Sequence, residues 1–325
     1  MPISSGNTLG VGVIGAGVMG GYHARLFAGR IGGARLAAVS DPDRARAETV
    51  AAGARVHSDG MALIRDDAVA AVLVAAPDAA HHGLVMEALR LGKPVLCEKP
   101  LAATVAECRE IVAADAGRGL VCTGFMRRFD ETYREMKAAL DAGRVGAPMV
   151  LHCVHRNQIA PGWFTGPMIV TNAMVHEIDI CRWLLGAEYT AARIRAVGDR
   201  GDLILAELET DIGAVVRIEV FMNAAYGYHV HAELVGRAGA VAMAEPAPVR
   251  LRAAGAAQAA YPADWIGRFA DSYRAQDQAW VAACRAGRAD PDLATAQDGL
   301  VATRCCAQLV GLLEGAGSGA LALGG

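Results

Sequence analysis

The stretch VGVIGAGVMG, residues 11–20, decides the fold of the N-terminal half of this chain. An apolar, β-branched run leads directly into glycines spaced G-x-G-x-x-G, and a helical pattern follows. Strand, glycine turn and helix in this order are what a dinucleotide-binding unit needs. Gly15 allows the tight turn, Gly17 lets the backbone approach a pyrophosphate, and Gly20 lets helix and strand pack closely. We therefore predict a phosphate-binding turn; the alternative is a structural turn without a ligand.

The predicted ligand of this turn is NAD. Val18 and Met19 open the helix whose N-terminus would face the pyrophosphate. Asp41 follows the second predicted strand, where its carboxylate can accept hydrogen bonds from a ribose diol and would repel a 2′-phosphate. Arg44 lies close by in sequence, so NADP stays open as the alternative cofactor.

Composition limits the class of protein. The chain has 325 residues, 54% of them hydrophobic, with a net charge of −3, which suggests about two globular domains and gives no reason to expect a nucleic-acid or membrane partner. The first residues lack a secretory pattern, and no apolar run reaches the roughly 20 residues of a bilayer helix. The eight cysteines show no metal-ligand spacing. We expect a cytoplasmic protein without a metal site.

Two domains with different architectures are predicted. Residues 1–124 alternate short apolar runs with helical stretches, which predicts an α/β Rossmann domain with a doubly wound parallel sheet. The predicted strands are Leu9–Ile14, Leu36–Ser40, Val72–Ala75, Val95–Cys97 and Leu120–Cys122. Consecutive alternating runs follow in residues 125–325, which predict an α+β domain with an open, mainly antiparallel sheet. These predicted strands are Arg193–Val197, Leu203–Thr210, Ala214–Phe221, Tyr228–Val235 and Val241–Ala244. The last helix of that domain could pack back on the first. Only Tyr22 and Phe27, of all the aromatic residues, precede residue 125.

The first candidate catalytic residue is Lys99, in the turn Glu98-Lys99-Pro100 after the fifth predicted strand. The carboxyl edge of an open α/β sheet is where ligands bind. A lysine that is desolvated beside a cofactor can have its pKa lowered towards neutrality and then exchange a proton with a carbinol oxygen. The alternative is a surface lysine in a strand-end turn.

A second candidate group opens a later helix, which we predict from about Ala173 to Leu185 with Gly186 at its end. Asn172, His176 and Asp179 have offsets of four and three, which would put them on one face of an α-helix. His176 could relay a proton or hydrogen-bond a substrate hydroxyl, with Asp179 orienting its ring. The alternative is a buried histidine that Asp179 caps.

Four further residues of the second half, Arg127, His155, Asn157 and Tyr228, offer both hydrogen-bond donors and acceptors. Such a set suits a polyhydroxylated ligand, although each residue taken singly could equally be part of a sheet surface.

Together, these motifs resemble the Gfo/Idh/MocA family of sugar oxidoreductases. The likeness rests on the glycine turn, on Glu98-Lys99-Pro100 and on the sequence HEID at residues 176–179, and it covers about residues 9 to 310. It is strongest to members that oxidise cyclitols such as myo-inositol.

The resemblance implies roles for particular residues. Lys99 would exchange the proton of the oxidised hydroxyl, and His176 would be the second member of the relay and a substrate ligand. Further substrate contacts would come from the four residues Arg127, His155, Asn157 and Tyr228. Cofactor contacts would include Pro77, His81, Glu98 and Lys99. Family members are usually homotetramers, joined through the exposed face of the second sheet.

One residue departs from the family pattern. Members that oxidise inositol usually carry an aspartate where this chain has Asn172, and an amide can hold a hydroxyl but cannot take up its proton. Either Lys99 and His176 suffice, or the substrate is another cyclitol, a monosaccharide, an amino-sugar or an anhydrosugar. A non-catalytic dinucleotide or sugar sensor, or an NAD-dependent glycosidase, on the same fold would be further alternatives.

Overall fold

The computed structural model of the protein describes residues 8–244, 250–253, 256–315 and 317–322. Its helices and strands are, in chain order, β1 Leu9–Ile14, α1 Val18–Phe27, β2 Ala34–Ser40, α2 Arg44–Val50, β3 Arg55–His57, α3 Gly60–Arg65, β4 Ala71–Val74, α4 Asp78–Arg90, β5 Val95–Glu98, α5 Val105–Asp115, β6 Val121–Gly124, α6 Glu131–Asp141, β7 Pro148–Arg156, α7 Pro167–Ile169, α8 Val175–Leu185, β8 Tyr189–Val197, β9 Leu203–Thr210, β10 Val215–Phe221, β11 His229–Gly236, β12 Gly239–Ala242, β13 Arg250–Ala253, β14 Ala256–Ala259, α9 Trp265–Ala286, β15 Ala294–Thr295, α10 Ala296–Glu314 and β16 Ser318–Ala320.

The first of two compact units consists of Met1–Phe129 and Asp271–Thr303. Its sheet has the strand order β15-β6-β5-β4-β1-β2-β3, and every pair is parallel except β15 with β6. This is the order of a dinucleotide-binding Rossmann sheet, as the alternation of strands and helices predicted. Ile14 pairs with Ser40 on one side and with Val74 on the other, so the carboxyl ends of three strands align. Ligand-binding turns are expected at this edge.

The core of this unit explains why its strands are almost continuously apolar. All residues of β1, β4 and β5 are buried, because helices cover the sheet. Small and branched side chains fill the layer between helix and sheet, among them Val72, Val74, Ala88 and Val95, all without exposed surface. Helix α5 begins with a capping box, in which the Thr104 hydroxyl accepts from the Glu107 amide. Such a cap stabilises a helix by about 1 kcal/mol.

The second unit consists of Asp130–Ala270 and Arg304–Gly325. Its seven-stranded sheet has the order β12-β11-β7-β10-β9-β8-β16. All its neighbouring strands are antiparallel except β7 and β10, which run parallel. The prediction of an α+β unit with a mainly antiparallel sheet is therefore confirmed. Burial alternates along β9, β10 and β11, so one face of the sheet forms the core while the other is half exposed.

Several elements were absent from the prediction. The short β3 and α3 lie between β2 and β4, and the brief strands β15 and β16 extend the two sheets at their edges. The helix predicted from about residue 173 to 185 instead begins with a π-helical turn, Val170–Met174, before regular α8. Among the described residues, no helix combines the length and apolar character needed to cross a membrane.

Candidate active site

The glycine turn between β1 and α1 has the predicted shape. Gly15 has a φ of +92°, and a Cβ there would collide with the carbonyl oxygen of Ala75. A Cβ at Gly20 would collide with the carbonyl oxygen of Gly15. Gly17 caps α1 with a φ of −68° and has nothing within 4 Å of the position of its absent Cβ. The fold itself therefore requires Gly15 and Gly20, whereas the space beside Gly17 is open for a ligand to approach the backbone.

Asp41 lies directly after β2, beside this turn, and only 7% of its surface is exposed. Its Oδ2 accepts a hydrogen bond of 2.8 Å from the main-chain amide of Ala16, and its Oδ1 accepts one of 2.9 Å from the amide of Asp43. Arg46 Nη1 lies 3.8 Å from Asp41 Oδ1, while Arg44 pairs with Glu48. The carboxylate is thus fixed at the edge where a ribose would lie, and Arg46 is the arginine beside it.

The turn Glu98-Lys99-Pro100 follows β5 at the same edge of the sheet. The Lys99–Pro100 peptide is cis. Glu98 is buried; its Oε1 lies 3.1 Å from His23 Nε2, and its Oε2 accepts from the main-chain amide of Lys99 at 3.2 Å. The Glu98 side chain therefore anchors the backbone of the turn that carries Lys99.

His81 and Pro77 belong to the neighbouring turn between β4 and α4. Pro77 caps α4, and the ring of His81, 1% exposed, lies inside the unit. His81 Nδ1 is 2.8 Å from the carbonyl oxygen of Pro100, and Nε2 is 2.8 Å from that of Ala76. Because both ring nitrogens face main-chain carbonyls, this side chain links the two turns at the sheet edge. Arg127, in the 3-10 turn after β6, is also 1% exposed.

His176 and Asn172 lie in the second unit, at the start of α8 and in the π-helical turn. The α-helical spacing assumed between Asn172 and His176 does not hold, because Asn172 lies in the π turn, which ends at Met174. His176 and Asp179 both lie in regular α8, so their offset of three is that of an α-helix. Asp179 is 2% exposed, whereas His176 and Asn172 are half buried. The amide nitrogen of Asn172 donates to Thr171 Oγ1 at 2.9 Å and to the Met168 carbonyl at 3.3 Å.

Two of the predicted substrate residues meet in the same unit. His155 Nδ1 lies 3.1 Å from Glu177 Oε2, and its Nε2 lies 3.5 Å from the Tyr228 hydroxyl, with the two rings edge to face. All three side chains are buried. Tyr228 lies just before β11, not on the strand where it was predicted, and its amide donates to the Pro262 carbonyl at 2.7 Å.

Asn157 follows β7 directly after Arg156. Its amide nitrogen contacts Met222 Sδ at 3.5 Å, and its buried Oδ1 has no hydrogen-bond partner among the described residues. Over the described part of the chain, no three His, Cys, Asp or Glu side chains are grouped as metal ligands.

Sequence reasoning gave no role to three residues of these networks. Glu177 was visible inside the HEID motif, but its partner His155 lies on a different element. His23 and Asp277 are completely buried and form a pair, with His23 Nδ1 2.7 Å from Asp277 Oδ2. These two residues are 254 positions apart, so no local pattern could have paired them.

Two family models match this chain. Residues 9–125 match "Oxidoreductase family, NAD-binding Rossmann fold", and residues 133–242 match "GFO/IDH/MocA C-terminal domain". The chain belongs to the GFO/IDH/MocA oxidoreductase family. Its glycine turn, with open space at Gly17 and the buried carboxylate of Asp41, fits the NAD-binding Rossmann domain of that family.

Curated relatives and solved structures agree with this assignment. The chain is 48% identical over 309 residues to Inositol 2-dehydrogenase 1 of Saccharopolyspora erythraea, covering 91% of each chain. It is 40% identical over 308 residues to an inositol 2-dehydrogenase of Pseudomonas fluorescens, again covering 91% of each. Its structure matches that of a Lactobacillus casei myo-inositol dehydrogenase in complex with NAD(H) and myo-inositol, with a TM-score of 0.91, 31% identity and 98% coverage of both chains.

Proposed function

We propose that this member of the GFO/IDH/MocA family is an NAD-dependent dehydrogenase that oxidises one secondary hydroxyl of a cyclitol, such as myo-inositol, to a ketone. The observation that carries the proposal is the likeness over 98% of the chain to a dehydrogenase solved with NAD(H) and myo-inositol bound. The glycine turn, the buried carboxylate and the lysine turn, all at one edge of the first sheet, support it.

The cofactor, when bound, accepts the hydride of the substrate carbon. Its pyrophosphate would lie against the turn of Gly15, Gly17 and Gly20 and the first residues of α1, Val18 and Met19, where main-chain amides and the helix dipole favour an anion. Asp41 would accept hydrogen bonds from the ribose, because amides of Ala16 and Asp43 already orient its oxygens towards this edge. The Pro77 and Lys99 turns would flank the nicotinamide side.

Lys99 is proposed as the base that takes the proton of the reacting hydroxyl and as the acid that returns it in the reverse reaction. We propose His176 as the residue that hydrogen-bonds this hydroxyl and shares the proton. Asn172 would hold the hydroxyl without titrating, since its amide cannot accept a proton. The proton transfer would then depend on Lys99 and His176 alone.

The remaining hydroxyls of the polyol are assigned to residues of the second unit. The buried Oδ1 of Asn157 offers an acceptor without a partner among the described residues, and the linked rings of His155 and Tyr228 add polar groups that can either donate or accept. The family resemblance also assigns a substrate contact to Arg127, and this assignment stays a prediction.

A panel assay tests the proposal. Purified protein is mixed with NAD and, in turn, myo-inositol, scyllo-inositol, common monosaccharides, an amino-sugar and an anhydrosugar, and the absorbance of the reduced nicotinamide is followed. Turnover that is greatest with an inositol supports the proposal. NAD binding without turnover of any polyol would favour a sensor, and release of a glycoside without net reduced cofactor would favour a glycosidase.

Another sugar is the second candidate substrate, and Asn172 is the observation that favours it. An aspartate could not donate to the Met168 carbonyl as the Asn172 amide does at 3.3 Å. If the substrate is an inositol, Asn172→Asp should preserve or raise inositol turnover. If turnover of a different sugar falls while inositol oxidation appears, the amide selects that other substrate.

We also propose a cytoplasmic homotetramer joined through the half-exposed face of the second sheet. A cleft of about 580 Å³ lies on this face, and its lining mixes apolar residues with charges of both signs, including Arg193, Glu207 and Arg217. Such a face can complement a second copy of itself. Light scattering after size exclusion tests the mass, and Arg217→Glu should shift it towards smaller species if this face is used.

A further inference from the structure

Three ionisable side chains from three different elements meet inside the first unit. His23 comes from α1, Glu98 from the end of β5 and Asp277 from α9. The imidazole of His23 joins the two carboxylates, with Nδ1 2.7 Å from Asp277 Oδ2 and Nε2 3.1 Å from Glu98 Oε1. His23 and Asp277 have no exposed surface, and Glu98 has 7%. The cluster is therefore shielded from water.

Glu98 links this cluster to the lysine turn through its second carboxylate oxygen. One of its oxygens faces His23, and the other accepts the main-chain amide of Lys99 at 3.2 Å. On its other side, β6 presents Gly124, where a Cβ would lie only 3.1 Å from Glu98 Cδ. The carboxylate is thus held between a histidine and a strand backbone and has little room to rotate.

The charges of the cluster strengthen this arrangement. Burial alone would lower the pKa of His23, but Asp277 and Glu98 outweigh burial and raise this pKa to about 10. At neutral pH the ring is therefore an imidazolium between two carboxylates. The rings of Tyr22 and Tyr273 also form edge-to-face contacts with the imidazole, with centroids 6.3 Å and 5.7 Å away. Away from water, these ionic hydrogen bonds are stronger than they would be at a surface.

Stability alone does not account for three buried charges. Replacing a buried ion pair by well-packed apolar residues is often neutral or stabilising, because the desolvation of the ions is avoided. An apolar cluster, however, could not hold an oxygen of the Glu98 carboxylate at one position. That position is where the Lys99 amide is bound.

We propose that His23 and Asp277 are positioning residues, which fix the carboxylate of Glu98 and through it the turn that presents Lys99. The inference rests on the proposed function, since it takes Lys99 as the acid–base residue. His23 also lies on the helix that begins at the glycine turn, so one side chain connects the phosphate-binding helix with the lysine turn.

Two substitutions of His23 test its two hydrogen bonds, to Glu98 and to Asp277, separately. In His23→Gln the side-chain amide nitrogen lies near the former position of Nε2 and faces Glu98. In His23→Asn the side-chain amide nitrogen lies near the former position of Nδ1 and faces Asp277. Both variants remove the ring and its charge. We expect His23→Asn to lower kcat by about tenfold or more with the KM for NAD within about twofold, and His23→Gln to retain most of kcat.

Hydrogen–deuterium exchange of the peptide containing residues 98–102 gives a readout that does not depend on activity. Exchange at this turn should be faster in His23→Asn than in His23→Gln or the unmodified enzyme. Asp115→Asn is the control, because Asp115 is a buried carboxylate of the same unit that binds the amides of Gly119 and Leu120, away from the lysine turn. It should lower the melting temperature and leave both kcat and the exchange of residues 98–102 unchanged.

Equal loss of kcat in the two His23 variants, or no change in the exchange of the turn, overturns the proposal. If neither variant folds, Asp277→Asn is compared with Asp115→Asn, and an equal kcat in these two overturns it as well. Should Lys99→Ala retain turnover, the proposed role of Lys99 fails, while the exchange data still decide whether His23 holds the turn.

Discussion

The main-chain amide of Ala16 donates a hydrogen bond of 2.8 Å to Oδ2 of Asp41. This bond joins the middle of the glycine turn to the residue that follows the neighbouring strand. The orientation of the carboxylate and the conformation of the phosphate-binding turn are therefore coupled, and a change at Asp41 should affect both.

Replacing Asp41 should weaken the preference for NAD and the stability of the fold. Asp41→Asn removes the charge that would repel a 2′-phosphate, and the ratio of kcat/KM for NAD to that for NADP should fall. The Asn side chain keeps one acceptor oxygen, so one of the two main-chain amides of Ala16 and Asp43 loses its partner. This loss should also cost about 1–3 kcal/mol in the free energy of unfolding. Because Arg46 lies 3.8 Å from Asp41 and Arg44 pairs with Glu48, Arg46→Gln should reduce NADP turnover more than Arg44→Gln. Equal effects would show that neither arginine reaches the phosphate.

Substitutions at two glycines of the turn should affect different properties, NAD affinity at Gly17 and stability at Gly20. Gly17→Val adds a side chain to space that is open in the protein, so the melting temperature should hardly change, while the affinity for NAD should fall about tenfold or more. Gly20→Ala puts a Cβ against the carbonyl oxygen of Gly15 and should destabilise the fold by about 1–3 kcal/mol. Thermal unfolding and quenching of fluorescence by NAD measure the two effects. Normal NAD binding by Gly17→Val would place the pyrophosphate elsewhere.

Lys99→Ala should bind NAD but lose turnover by about 10²–10⁴-fold, the usual contribution of a general acid–base residue. Lys93→Ala is the matched control. Lys93 Nζ donates to the carbonyl oxygens of Ile64 and Asp66 at 2.6 and 3.0 Å, so its loss should lower stability and leave kcat unchanged. Similar kcat values for the two variants would contradict the role given to Lys99.

The pair of His23 and Asp277 should make stability depend on alkaline pH. The pKa of His23 is raised from 6.5 to about 10 in the folded protein, so the folded state binds a proton that the unfolded state releases above pH 6.5. The resulting stabilisation is complete below pH 6.5, declines as the pH rises and is lost above pH 10. It amounts to at most on the order of 5 kcal/mol. Urea unfolding at pH 6.5, 8 and 9.5 should show this decline in the enzyme and a flatter dependence in His23→Gln; the same slope in both proteins would contradict the assignment.

Glu177 should determine which nitrogen of His155 carries a proton. A carboxylate 3.1 Å from Nδ1 favours the Nδ1–H form, which leaves Nε2 to accept from Tyr228. In Glu177→Gln the side-chain amide can donate a hydrogen bond to Nδ1 of His155, which favours the tautomer with its proton on Nε2. We expect kcat/KM for the polyol to fall by about tenfold while NAD affinity is preserved. Glu188→Gln, which removes the negative charge that pairs with Arg182 at the surface, should leave kcat/KM unchanged.

The sequence predicted elements whose signals are local. The glycine turn, the strands β1 and β9, and helix ends marked by Gly186 were found because periodicity and backbone requirements of glycine act over a few residues. The short β3 and α3 were missed, since three to six residues are too few for a periodic pattern to show. The π-helical turn at Val170–Met174 has no sequence signature, and it changes the direction of Asn172 relative to His176.

The sequence by itself determined that a strand, a glycine turn and a helix form a dinucleotide-binding unit, and it placed Lys99 at the carboxyl edge of the sheet. It could do so because each of those requirements acts between neighbouring residues. Only the tertiary structure decided which distant side chains meet: Asp277 with His23, Glu177 with His155, and β7 with its parallel partner β10. Those pairings depend on how helices and strands that are far apart in the sequence pack against each other. Many pairs of elements are compatible with the same local sequence pattern, and burial in the folded core selects among them.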